Sequence, residues 1–384
     1  MVTRPLPPWR SRHLFCKRPV VNDGPVRYAI VGRGWRARFF LRLAALMPER
    51  FAVVGVVTRT AAAGAEVEAR WNVPTWRDPA DLATGERPDF VITSVPWDVN
   101  PALVESLVGM GLPVLSETPP APDVEGLRAL WARVGSTDLV QVAEQYLLLP
   151  GHAARLALVR AELIGAPTSV QVSSTHLYHA VSMIRGLLGV RFEDATVNAR
   201  EFTAPLADPL SRDGWTGDDS PRDARTTIAT VDFGGRMGLY DFTDNQWWNP
   251  LRARRIVVRG SHGEIVDDRL VRLADPYTPV ESHLVRRQTG QDLNLEGADL
   301  DHISVDGRVV YRNEFAGARL SDEDIAIATM LSRMGAWCRG TAEPPYPLAD
   351  ACQDHLIALA VNESAASGQP VTTAPQAWGS ASTR

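Results

Sequence analysis

Cysteine is nearly missing from this chain: three residues in 384, Cys16, Cys338 and Cys352, with no Cys-x-x-Cys pair among them. That scarcity argues against a disulfide framework or a thiolate zinc site, and it fits a reducing cytoplasm. Positive charge is also short. A net charge of −5, with Lys and Arg scattered rather than striped, gives no electrostatic reason to approach nucleic acid. The first 26 residues lack an apolar run long enough for a signal-peptide core or a membrane span. The Pro- and Arg-rich residues 1–25 read as a flexible leader. What remains is ordinary globular composition, 45% hydrophobic and 22% charged, in a chain too long for one comfortable core.

From residue 26 the chain alternates short β-branched runs with amphipathic stretches, the pattern of parallel strands joined by crossover helices. Strands are expected at 27–31, 51–58, 89–95, 113–116 and 139–143. A helix at 124–134 places Leu127, Leu130, Trp131 and Val134 on one face. After a helix over 150–164 the rhythm changes, and strands follow one another at 168–174, 225–233, 236–242 and 256–259. The turn Phe233-Gly234-Gly235-Arg236 indicates antiparallel pairing. Ser321-Asp322-Glu323-Asp324 starts a helix to about 338, and another over 348–366 stops at Gly368. The stretch 205–222, rich in Asp, Gly, Pro and Ser, reads as a long loop. The expected architecture is an α/β Rossmann domain at 26–150, with a doubly wound parallel sheet. An α+β domain at 151–371 follows, with an open, mainly antiparallel mixed sheet, and residues 372–384 form a tail.

The run Tyr28-Ala29-Ile30-Val31-Gly32-Arg33-Gly34-Trp35-Arg36-Ala37 is a strand leading into G-x-G-x-x-A and an apolar helix. Gly32 permits the tight turn, Gly34 lets backbone approach a pyrophosphate, and Ala37 allows close helix packing; Trp35 belongs to the same loop. The motif is weak alone, but here it opens a βαβ series, which points to a bound dinucleotide. The second strand ends in Thr58-Arg59, with no acid for ribose hydroxyls. A guanidinium beside a hydroxyl suits a 2′-phosphate, so NADP is expected in preference to NAD.

These residues resemble the Gfo/Idh/MocA family of oxidoreductases. The resemblance rests on the Gly loop, on residues 90–96 ending at Pro96, on Leu115-Ser116-Glu117-Thr118-Pro119 and on residues 179–189. It also rests on Tyr346-Pro347-Leu348 and Glu363-Ser364-Ala365-Ala366-Ser367-Gly368. It implies a sugar, cyclitol or related polyol substrate, a homo-oligomer (dimer or tetramer) formed through the second sheet, and cofactor contacts from Pro96, Glu117, Thr118 and Gln145. The chain departs from the family pattern at three places. Thr118 stands where the family has the lysine of Glu-Lys-Pro, Thr175 and Ser182 stand where it has aspartates around its histidine, and Asn100 replaces a further histidine.

Oxidising a secondary alcohol needs a hydride acceptor and a base, and imidazole titrates near neutral pH. His179 is the expected base; Tyr178 and His176 are candidates for the donor or relay role of the absent lysine. His176-x-x-His179 has no accompanying acidic cluster, so no metal is expected. The aromatic and amide run Asn245-Gln246-Trp247-Trp248-Asn249 suits either a sugar-lined cleft or a core. Two rivals to a net polyol dehydrogenase stand beside it. One is a dinucleotide-binding regulatory subunit that has lost catalysis; the other is a redox-neutral enzyme with tightly held cofactor.

Overall fold

A computed structural model describes residues 24–84, 87–211, 213–290 and 294–381. The leader reading for residues 1–23, and Cys16 with it, lies outside the described residues. The first sheet holds six parallel strands: β1 (Val26–Val31), β2 (Phe51–Val57), β3 (Thr75–Trp76), β4 (Phe90–Thr93), β5 (Val114–Ser116) and β6 (Val140–Val142). Their order is β3-β2-β1-β4-β5-β6, so the winding reverses between β1 and β4. The strands β4, β5 and β6 are buried along their whole length, as a sheet covered on both faces requires. Crossovers run through α1 (Ala37–Leu46), α2 (Ala61–Trp71), α3 (Asp81–Thr84), α4 (Asn100–Gly109) and α5 (Val124–Val134). The last of these buries Leu127, Leu130 and Val134 against the sheet, and Asp123 caps it by accepting from Gly126 N.

After a 3-10 turn at Tyr146–Leu148, the chain continues through α6 (Pro150–Arg160), β7 (Pro167–Ser173), α7 (Leu177–Leu188), β8 (Thr196–Ala207), β9 (Leu210–Ser211) and β10 (Gly214–Trp215). It goes on to β11 (Pro221–Asp232), β12 (Met237–Thr243), β13 (Arg255–Gly260), β14 (Gly263–Val266), β15 (Arg269–Asp275) and β16 (Thr278–His283). Then come β17 (Val285–Thr289), β18 (Asp299–Val305), β19 (Arg308–Arg312), α8 (Asp322–Cys338), α9 (Leu348–Ser367), β20 (Val371–Thr372) and α10 (Ala377–Ala381). Nine of these strands form one sheet in the order β16-β15-β14-β13-β7-β12-β11-β8-β20. Within it only β7 and β12 pair in parallel. Helices α7 and α9 cover one face; on the other, Phe202 and Ile228 are about half exposed.

The long loop expected at 205–222 is much shorter. β8 and β11 pair without a break from Thr196↔Asp232 to Ala207↔Pro221, and β9 and β10 form a small ladder inside the connection. Polar residues at the outer ends of both strands lie on the open face, so composition resembled a loop where the ladder continues. The helix after 150 ends at Arg160 rather than 164. Ser321 caps α8 through its bond from Asp324 N, and Gly368 ends α9 in the left-handed conformation. Both C-terminal helices return to the first sheet: α8 packs on β1 and β4, α9 on β6 and α5.

Candidate functional site

The carboxyl ends of β1, β4, β5 and β6 form one rim. Gly32 follows β1 at φ 108°, and its amide donates to Val57 O at 3.0 Å. Around Gly34 the space is open, the nearest atoms to a hypothetical Cβ being those of Ser94 at 3.9 Å. Ala37 is fully buried at the start of α1, while Trp35 lies half exposed, edge-on to Phe39. No side chain caps α1 and its first turn carries no acid; the amides of Arg38 and Phe39 donate to the turn carbonyls of Trp35 and Arg36, and the positive end of the helix dipole faces the Gly loop with no protein anion against it in that turn. These features fit the pyrophosphate of a dinucleotide.

Beyond β2, Thr58 is buried and Arg59 is exposed with no ion-pair partner among the described residues. Arg77, which the sequence reading passed over, donates to the Thr58 hydroxyl and, at 2.9 Å, to the Thr75 hydroxyl. Two guanidinium groups therefore stand near the strand end where the adenosine ribose of a bound dinucleotide would lie.

Past β4, Pro96 and Trp97 are exposed on the rim. Asn100 is wholly buried and has become a brace: it accepts from Thr93 Oγ1 (2.6 Å) and donates to Ser116 Oγ (2.9 Å) and Pro120 O (3.2 Å). Thr93 Oγ1 accepts in turn from Glu117 N at 3.0 Å. This network fixes the loop carrying Glu117 and Thr118. Burial raises the Glu117 carboxyl above its usual range, and the nearby Arg36 and His179 side chains oppose that shift. Its Oε2 is buried without a hydrogen-bond partner, an acceptor open to a ligand hydroxyl or amide. Thr118, partly buried, completes the loop.

The second domain meets this rim through α7. The ring of His179 donates from Nδ1 to Glu144 Oε2 at 2.5 Å, and both side chains are buried. Glu144 Oε1 accepts from Tyr146 N at 2.9 Å. The Tyr146 ring stacks on the imidazole with centroids 4.4 Å apart, and His152 Nδ1 donates to the Tyr146 carbonyl. His176, exposed at the start of α7, packs edge-on to His179 at 4.8 Å and then against Trp247 at 5.4 Å. The strand β12 ends before Trp247, so strand alternation does not apply, and Trp247 and Trp248 touch each other. Asp208 Oδ2 accepts from Asn245 beside them, and Asp208 Oδ1 is buried and unpartnered.

Tyr178 takes a different direction from the one expected. It turns into the packing toward α9, where its ring meets His355 and its hydroxyl is buried without a partner, because helical geometry puts adjacent residues about 100° apart. Gln145 is buried between Glu144 and Tyr146. Gln145 is the residue of this segment expected from the sequence, and Glu144 is not; an acid at the carboxyl end of a parallel strand is the signal that marks it. Among the described residues no group of three His, Cys, Asp or Glu could hold a metal ion, and no helix is long and apolar enough to cross a membrane.

Residues 26–145 match the model of the Gfo/Idh/MocA oxidoreductase family, described as having an NAD-binding Rossmann fold. The match covers the Rossmann domain, about a third of the chain, and what it marks is a likeness of that domain to the family. None of the curated proteins matches significantly. Among solved structures, an oxidoreductase from Agrobacterium radiobacter in complex with NAD+, L-tartaric acid and magnesium is 16% identical with TM-score 0.65, covering 90% of this chain and 98% of that one. The WlbA dehydrogenase from Bordetella pertussis, in complex with NADH and UDP-GlcNAcA, is 15% identical with TM-score 0.61, covering 92% and 100%. A myo-inositol dehydrogenase from Corynebacterium glutamicum is 19% identical with TM-score 0.62, again covering 92% and 100%. At these identities the likeness is one of fold, and it spans both domains of this chain.

Proposed function

We propose that the chain is an NADP(H)-preferring oxidoreductase acting on a secondary alcohol or ketone of a sugar, cyclitol or related polyol, with His179 moving the proton. The observation that carries this reading is the His179–Glu144 pair, which sets an imidazole from the second domain against the rim that carries the Gly loop. The sugar-like substrate is inferred from the nucleotide-sugar and inositol dehydrogenases among the structural neighbours, and from the aromatic and amide wall of His176, Trp247 and Asn245.

A bound dinucleotide would supply the hydride acceptor. Gly32, Gly34, Trp35 and the start of α1 would hold its pyrophosphate, and Thr58, Arg59 and Arg77 its 2′-phosphate. Pro96, Glu117, Thr118 and Gln145 would surround its nicotinamide half. His179 takes the proton of the substrate hydroxyl through Nε2, and Tyr146 and His176 restrict water around the ring. We further propose a homo-oligomer formed through the open sheet face that exposes Phe202 and Ile228. A cytoplasmic site suits the free thiols Cys338 and Cys352.

The test has two parts: a turnover assay over a polyol panel with both nicotinamide dinucleotides, and analysis of cofactor carried by the purified protein. Turnover that disappears in His179→Gln supports the reading. Absence of both turnover and bound dinucleotide overturns it, whereas tightly held dinucleotide without net absorbance change points to redox-neutral chemistry. The rival, a dinucleotide-binding subunit without catalysis, draws its support from Thr118 in place of the family's lysine.

A further inference from the structure

We propose that Glu144 is the positioning residue of this site: a carboxylate from the first domain that fixes which nitrogen of His179 carries the proton, leaving Nε2 as the base. The proposal rests on His179 being the proton-transfer group. Helix α7 provides no acid for that ring. Thr175 and Ser182 occupy the nearby positions, and Ser182 Oγ instead donates to the His179 carbonyl at 2.9 Å. The partner comes from the end of β6, across the junction between the two sheets.

Glu144 has both oxygens engaged, Oε2 by His179 Nδ1 and Oε1 by Tyr146 N, which is what a carboxylate only 2% exposed requires. A carboxylate can only accept, so Nδ1 must bear hydrogen and the neutral ring keeps its lone pair on Nε2. Among the described residues Nε2 has no hydrogen-bond partner, and the side chain keeps 10% of its surface open. The segment 144–146 thus holds the imidazole at its edge through Glu144 and at its face through Tyr146. The other charged or titratable groups around the ring are Glu117 and Arg36 on the rim, and His176 and Tyr178 on α7; none of them hydrogen-bonds it. Because the pair spans two domains, the productive tautomer depends on their docking.

The substitution Glu144→Gln is nearly isosteric and makes the prediction sharp. Tyr146 N–H continues to need an acceptor, so the amide oxygen stays with it and the amide NH2 turns to His179. A donor facing Nδ1 forces the proton to Nε2, the wrong tautomer for a base. In 15N-histidine NMR spectra the parent should show His179 protonated at Nδ1, and Glu144→Gln should show it at Nε2. The turnover number should fall by about 10²- to 10⁴-fold with dinucleotide affinity unchanged, and Glu144→Asp should recover part of the loss. Retention of the Nδ1–H signal and of parental turnover in Glu144→Gln overturns the proposal. Turnover abolished by His179→Gln but untouched by Glu144→Gln removes only the role of Glu144. Turnover that survives His179→Gln removes the proton-transfer reading itself. In a parent without turnover, the tautomer measurement alone decides whether Glu144 sets the ring.

Discussion

A Cβ placed on Gly32 would stand 2.1 Å from the carbonyl oxygen of Ser94, and this close approach of the β1 and β4 ends shapes the mouth of the proposed dinucleotide site. Gly32 also sits at φ 108°, where an L side chain is strained. Gly32→Ala should therefore cost upwards of about 2 kcal/mol in stability and abolish dinucleotide binding. Gly34→Ala is the contrast, because its nearest neighbours are 3.9 Å away: it should melt like the parent yet bind the dinucleotide more weakly, its methyl group filling the space of the pyrophosphate. Thermal melts and fluorescence titrations measured side by side check both outcomes. A Gly32→Ala protein that binds normally would show that the strand ends can yield.

The proposed preference for NADP places the determinant of cofactor choice at the end of β2. Arg59→Ala should weaken NADPH by on the order of 1.5 to 3 kcal/mol and leave NADH nearly unchanged, since only the 2′-phosphate offers a charge-assisted partner. Arg77→Ala should act in the same direction and also loosen Thr58, whose hydroxyl it engages. Calorimetric titration of each variant with both dinucleotides gives the four affinities. Equal losses for NADH and NADPH would mean that neither arginine reads the phosphate.

Five of the six strands of the first sheet were legible because they read as short apolar runs, β4, β5 and β6 being buried along their whole length, whereas the two-residue, half-buried β3 (Thr75–Trp76) was too short to show a pattern. The second sheet was only partly legible. Its outer strands β14 to β16, and most of β8, carry Arg, Glu and Thr on an open face, so composition resembled loop while the backbone ladder continued. The site divided along the same line. Gly32, Gly34 and Ala37 announced themselves by spacing, and His179 by its resemblance to the family. Glu144 and Arg77 were hidden because their roles depend on residues 35 and 19 positions away, distances that no local pattern records.

Stability should depend on His152. Burial, helped by the charge of Arg155, lowers its pKa from 6.5 to about 4, and its Nδ1–H is held by the Tyr146 carbonyl. The folded protein keeps this ring neutral, while the unfolded chain takes up the proton near the ordinary value. The unfolded state therefore binds more protons as pH drops through 6.5, and the folded state loses stability until about pH 4, below which both forms are protonated. The loss should be on the order of 3 kcal/mol. His152→Gln keeps a donor for Tyr146 but cannot titrate, so denaturant unfolding of this variant should show a shallower decline over that window. Parallel curves for the two proteins would remove His152 from the acid sensitivity.

The decisive substitution for the rival reading is Thr118→Lys. Thr118 lies on the loop that Asn100 and Thr93 brace, next to Glu117, whose buried oxygen has no partner and would meet an introduced ammonium. The site already contains one cation, Arg36, but its guanidinium is paired with Glu323 at 2.8 Å and cannot release a proton at neutral pH. A lysine can act as a proton donor near the reacting oxygen where Thr118 offers only a neutral hydroxyl. If the chain is an enzyme that works through His179 and Glu144 without a lysine, Thr118→Lys should disturb a site built around threonine and lower turnover. If it is a retired enzyme, the parent should be inert and the variant should gain activity, because one general acid or base is worth about 10²- to 10⁴-fold in rate. Initial-rate measurements on parent and variant, with dinucleotide affinity as the folding control, separate the two.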